Sequence, residues 1–253
     1  MTGAKAERLQ RLALGTTGIG LFLAGWEVIG QNQLLGLSWP ALSEVLALLG
    51  TSARQPLFRR ALAATLASLG IGYCLGAVAG LGLAGIGHLL APLRPGLDRL
   101  AAVIHAIPSI ALAPLFILLL GRQDTPAALS ALTTFFILYV AAGSGLAMAA
   151  PRLHDLFAVL GGRRWTRFAR LELPAALPTI ASGLRLAAPA ALIGVIIGEW
   201  FGAPRGLGVL VINAMQNFQI PLLWSAVLLA VITSLVLFGL LGLLQHAVTR
   251  RFQ

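Results

Sequence analysis

Residues 155–178 read DLFAVLGGRRWTRFARLELPAALP, the most cationic stretch of an otherwise apolar chain. Arg163, Arg164, Arg167 and Arg170 fall in it, and apolar runs of bilayer-crossing length lie on both sides. Whether such a stretch is a solvated helix or a loop facing lipid headgroups depends on its surroundings, and composition decides them. Of 253 residues, 58% are hydrophobic and only 10% are charged, against roughly 25% charged residues in soluble domains. The chain is predicted to be an all-α integral membrane protein.

A bilayer crossing needs about 20 predominantly apolar residues, and that length gives about six transmembrane helices, near 12–30, 61–87, 100–121, 125–150, 179–200 and 220–245. The first follows Lys5, Arg8 and Arg11 in a tail of residues 1–11. No small-residue cleavage site comes after its apolar run, so it reads as an uncleaved anchor. The fifth is the weakest, because Arg185 and Glu199 bracket only residues 186–198. Both side chains have to snorkel, pair or line a polar cavity. An N-terminus on the inside puts most arginines on the cytoplasmic face, as membrane topology favours. Arg54, Arg59 and Arg60 then fall outside, where QPLFRRALAATLASLG is expected to begin as an interfacial amphipathic segment. Both termini and the opening stretch face the cytoplasm in this topology.

Within the loop, Pro151 suits a first helical turn and Asp155 sets an acid near a positive helix end. Gly161 and Gly162 supply a stop about two turns later. Beyond them Arg163, Arg167 and Arg170 share one helical face, while Trp165, Phe168 and Ala169 share the other, with Glu172 as an acid on the apolar side that pairing has to accommodate. Two readings follow from the residues: an amphipathic linker lying on headgroups, or a docking site for a partner.

Several functions are disfavoured. The net charge of +10 comes in short arginine groups between spans, without the continuous basic surface nucleic acid requires. Cys74 is the sole cysteine, and His88, His105, His154 and His246 are scattered, so no metal site is expected. The only lysine is Lys5, which rules out a Walker A phosphate loop in this sequence. Pro108 and Pro114 interrupt the third span and mark a possible pathway. Glu199, Asn213, Gln216 and Asn217 flank the outer end of the fifth span, where a gate or partner contact would lie. Gly72, Gly76 and Gly80 repeat every four residues and permit close helix approach. Two other classes stand as alternatives: a secondary transporter, which needs intramembrane acids or related halves, and an intramembrane serine protease built on Ser144 and His246.

The spacing Asp155-Leu156-Phe157, three residues, Gly161, nine residues, Leu171-Glu172-Leu173-Pro174 resembles the pattern E-A-A, G, I-x-L-P in the cytoplasmic loop of bacterial ABC importer permeases. IPSIALAPLFILLLG and ASGLRLAAPAALIGVIIGEWFGAPRGLGVLV are similar to segments of the branch handling sulfonates, taurine, nitrate and thiamine precursors. The likeness runs from about Trp26 to Arg251. It implies a type I ABC importer permease fold, with residues 12–253 as one transmembrane permease domain and a cytoplasmic coupling helix in the loop at about 150–178. It makes Asp155 and Gly161 landmarks of that helix and Leu173 and Pro174 the way back into the fifth span; Leu156 and Phe157 are expected to anchor it in a partner's cleft, since buried aliphatic and aromatic side chains dominate most interfaces. Asp-Leu-Phe replaces the usual Glu-Ala-Ala, which alters the fit to a partner's cleft.

The resemblance further implies a non-catalytic subunit of the bacterial inner membrane with no cofactor of its own. ATP and Mg would be bound by two copies of a separate ATPase subunit. A second permease subunit, expected to be an identical copy, an extracytoplasmic substrate-binding protein and membrane lipid complete the expected partners.

Overall fold

The computed structural model describes residues 2–149, 155–157, 159 and 161–252; Pro151 and His154 lie outside the described residues. These residues fold into helices and connecting turns. Two compact units divide the chain, Met1–Arg59 with Leu210–Leu228 and Arg60–Val209 with Leu229–Gln253.

The first unit holds α1, Thr2–Gln31, and α2, Leu42–Gly50. Its centre is aromatic. The ring centroids of Trp39 and Trp224 lie 4.7 Å apart, and those of Trp26 and Trp224 5.1 Å apart. An indole buries its rings best when its N–H finds an acceptor. Trp26 donates to the Pro40 carbonyl at 3.1 Å and Trp224 to the Ser38 carbonyl at 3.0 Å, so the cluster also pins the connection between α1 and α2.

The second unit is built on α3, Gln55–Leu89, which starts in the first unit's sequence, α4, Arg94–Ala106, α5, Ser109–Leu120, α6, Thr125–Leu146, and α7, Arg164–Trp200. Next come α8, Leu207–Gln216, and α9, Ile220–Phe252, whose residues are shared between the units. α6 and α7 form the core, burying Leu129, Leu138, Leu192 and Val195 between small residues such as Ala142 and Ala187. Membrane helices gain little from apolar contact alone, since lipid is equally apolar, so close backbone approach supplies the packing. The Gly72, Gly76, Gly80 repeat serves that purpose on α3. A Cβ on Gly72 would lie 2.6 Å from that of Ser130, and one on Gly76 2.7 Å from that of Thr134.

Among the described residues, five helical segments are long and apolar enough to cross a membrane: Ala13–Gln31, α3, α6, α7 and α9. The bent pair of α4, with the turn before it, and α5 makes a sixth if counted as one span. This corrects the expected continuous helix at 100–121. The two halves meet at 94°. Pro108 lacks the N–H that would continue the ladder, and its ring drives the preceding residue out of helical conformation. Ile107 is accordingly extended, with φ −78° and ψ 121°, and Pro108 has ψ 121°. Pro114 sits inside α5 without breaking it. The fifth span is also longer than expected. α7 has 37 residues, about 55 Å at 1.5 Å each, so it extends well beyond a hydrocarbon core of about 30 Å.

Gly76→Val is expected to lower the thermal unfolding midpoint in detergent, since overpacking a close helix contact costs about 1–3 kcal/mol. Gly70→Ala, with nothing within 4 Å of the added carbon, is expected to leave the midpoint unchanged or raise it. Equal behaviour of the two variants would show that the glycine face does not set the α3–α6 distance.

Candidate functional site

The described residues of the loop that carries the family-like spacing have a distinct local form. Asp155–Phe157 and Val159 are helical, and Gly161 ends the helix with φ +69°. That left-handed conformation suits a residue without a Cβ. The Gly162 N–H donates to the Phe157 carbonyl at 2.8 Å, the six-to-one bond of a Schellman stop. Asp155 and Leu156 are exposed, and Phe157 is half-buried, its ring close to Gly162. The residues expected to anchor a partner are thus presented on a short helix with a fixed end.

The chain re-enters helix at Arg164, and Phe168–Glu172 form one turn of π-helix before Leu173 and Pro174 resume the α-helical ladder. The wide turn falls where the ladder has to yield, because the Pro174 ring cannot pack on the carbonyl four residues back. It also brings residues five apart together. Arg167 Nε lies 2.9 Å from Glu172 Oε1, and His88 Nε2 lies 2.8 Å from Glu172 Oε2. Arg164 donates to the His88 carbonyl at 3.1 Å, near the last carbonyls of α3. Glu172 is 2% exposed, so the acid on the apolar side is accommodated by pairing. The end of α3 and the start of α7 are clamped around one carboxylate.

At the other end of α7, Glu199 is 1% exposed and accepts from Thr65 Oγ1 and from the Gly208 N–H, both at 2.7 Å. Leu207 N–H donates to the same Thr65 hydroxyl at 2.9 Å. The first turn of any helix has N–H groups without intrahelical acceptors. Here a hydroxyl and a carboxylate take up those of Leu207 and Gly208, the first two of α8. Arg185 lies about 21 Å from Glu199 along the helix, too far to pair with it. It donates to Gln245 Oε1 at 3.0 Å and sits 4.0 Å over the Phe238 ring, while Gln245 donates to Ser182 Oγ at 2.9 Å. A charge at membrane depth costs about 2.5–3.5 kcal/mol on insertion scales. A desolvated cation–π contact of about 2 kcal/mol or more with one charged hydrogen bond offsets much of it.

The other candidate positions are more dispersed. Asn213 and Gln216 are exposed on α8, and Asn217 just after it donates to the Asn213 carbonyl at 2.7 Å. Pro108 lines a cavity of about 220 Å³ at the α4–α5 break, whereas Pro114 is exposed on α5 and does not line that cavity. A second cavity, of about 410 Å³, opens at the start of α6 beside Ser68, Gln123, Asp124 and Arg205. Thr65 and His88 carried no signal in the sequence beyond their residue type. Among the described residues no cluster of metal-ligating side chains occurs.

Residues 72–253 match the family of binding-protein-dependent transport system inner membrane components. A formylaminopyrimidine transport permease from Halalkalibacterium halodurans is 32% identical over 90% of this chain and 88% of its own. A Bacillus subtilis permease protein named for aliphatic sulfonates transport is 27% identical over 71% of this chain and 63% of its own. The inward-facing MetNI methionine ABC transporter superposes with a TM-score of 0.70 at 17% identity, over 78% of this chain and 99% of the other, which shows the fold.

Thr65→Val removes both a donor to Glu199 and the acceptor of the Leu207 amide, a loss of about 1–3 kcal/mol for groups left unsatisfied. Hydrogen exchange at the Leu207 and Gly208 amides is expected to accelerate, with a lower unfolding midpoint. Unchanged protection at both amides would show that other contacts hold the start of α8.

Proposed function

The chain belongs to the binding-protein-dependent transport inner membrane components, a multi-pass ABC importer permease subunit, and we propose that it supplies half of a translocation pathway whose energy comes from a separate ATPase. Two identical copies would pair, with two ATPase subunits binding ATP and Mg on the cytoplasmic side and an extracytoplasmic binding protein delivering solute. Arginine distribution supports an inside location for both termini and for the loop at 150–178.

The observation that carries the reading is the form of that loop. A helical segment with Asp155 and Leu156 exposed ends at the Gly161 stop, and α7 then begins at Arg164 and passes through the π-turn around Glu172. Leu156 and Phe157 would enter the ATPase cleft, since buried aliphatic and aromatic side chains dominate most interfaces. Leu173 and Pro174 would carry the displacement past the π-turn along the rest of α7.

The solute is a small organic molecule, and relatives favour either a nitrogen heterocycle or an aliphatic sulfonate. We favour the heterocycle, because the formylaminopyrimidine permease matches over nearly the whole of both chains.

Purification of the tagged chain from gently solubilised membranes is expected to bring down an ATPase subunit in equal number. Phe157→Asp should weaken that association by tenfold or more and abolish ATP-driven uptake while the permease stays folded. Normal uptake by Phe157→Asp would remove the loop from the coupling role.

A further inference from the structure

A helix broken inside a membrane leaves backbone groups that must be satisfied by protein or by whatever fills a cavity there. The α4–α5 pair is broken at Ile107 and Pro108, and the cavity of about 220 Å³ lies at that break. It is lined by His105, Pro108, Ser109 and Thr133, with Ile104 and Leu132 as apolar walls. The His105 ring is stacked on Phe136 with centroids 3.6 Å apart and planes within 4°. His105 is nonetheless exposed and lines the cavity, with its ring backed by that of Phe136.

The lining chooses among ligands. It includes no arginine or lysine, which an aliphatic sulfonate would call for. What it offers is an aromatic plane and hydroxyls: the Thr133 hydroxyl donates to the Leu129 carbonyl at 2.6 Å and keeps its lone pairs free to accept. The volume lies below the range of about 300–1,000 Å³ usual for drug-sized ligands, so it suits one ring with small substituents. We propose that this cavity is a transit site for a single-ring nitrogen heterocycle, with His105, backed by Phe136, as its stacking platform and Ser109 and Thr133 as its hydrogen-bonding partners.

The inference rests on the importer reading with a heterocyclic solute, and the test separates the two. The complete importer, with its ATPase and binding protein, is reconstituted in proteoliposomes, and uptake of labelled formylaminopyrimidine is measured per ATP hydrolysed, beside uptake of an aliphatic sulfonate. An aromatic stack is modest in energy, so His105→Ala is expected to lower heterocycle uptake per ATP by about 3- to 10-fold. His105→Phe keeps the plane and should retain more than half of the wild-type ratio. Val103→Ala, on the same helix but outside the cavity lining, should leave it unchanged. A wild-type ratio in His105→Ala, or an equal loss in His105→Ala and His105→Phe, would overturn the stacking site while leaving the importer reading intact. Uptake of the sulfonate but not the heterocycle by the wild type would overturn the substrate reading and the site with it.

Discussion

A charged side chain on a membrane helix has to find its partners within the protein, because hydrocarbon offers none. Three of the charged groups on α7 tie it to three different places. Glu172 holds His88 at the end of α3, Arg185 holds Gln245 on α9, and Glu199 holds Thr65 near the start of α3 together with the first turn of α8. Thr65 and His88 are about 35 Å apart along α3, close to the thickness of the hydrocarbon core. The two carboxylates therefore fasten α7 to α3 near both ends of the crossing, and the glycine face of α3 fits against α6 between them. Polar ties fix the register of these helices, and small residues fix their separation.

The same constraint explains what could be read without coordinates. Apolar length located the spans at Ala13–Gln31, α3, α6, α7 and α9, because the requirement to cross a bilayer is written locally in each run. The Asp155 to Gly161 segment was legible for a similar reason: a glycine stop is a local signal, and Gly161 adopts the left-handed conformation that signal implies. The polar partners were not legible. Nothing in the spacing of Thr65 and Glu199, 134 positions apart, announces a hydrogen bond. Arg185 and Glu199 were recognised as a problem, and the structure solves it through neutral partners on other helices. The arginines of 163–170 read as a separate amphipathic helical segment because they lower its apolarity, whereas helix runs from Arg164 through them into the fifth span.

The third span failed for the opposite reason. Its apolarity is continuous across residues 100–121, but Pro108 overrides it, while Pro114, six residues on, does not. The difference lies in what each proline's neighbour can do. Ile107 and Pro108 both adopt extended backbone at the break, with the His105 ring stacked on Phe136 beside it. At Pro114 the helix simply forgoes one backbone bond. Proline content alone cannot separate the two outcomes.

On the proposed reading, these two kinds of helix differ in how they respond to a displacement at the loop of residues 150–178. α3 and α7 are joined through the Glu172 carboxylate at one end and the Glu199 carboxylate at the other, so on the proposed reading a displacement delivered through Leu173 and Pro174 would move them together. α6 packs along both and follows. The α4–α5 pair has a break where the backbone already departs from helix, and its angle can change at Ile107 and Pro108 without breaking the ladder of either half. On the proposed reading, relative motion in the second unit is therefore concentrated at the α4–α5 break. A solute cavity at that break would change shape as the rigid set moves, which is what a pathway that opens alternately to each side requires.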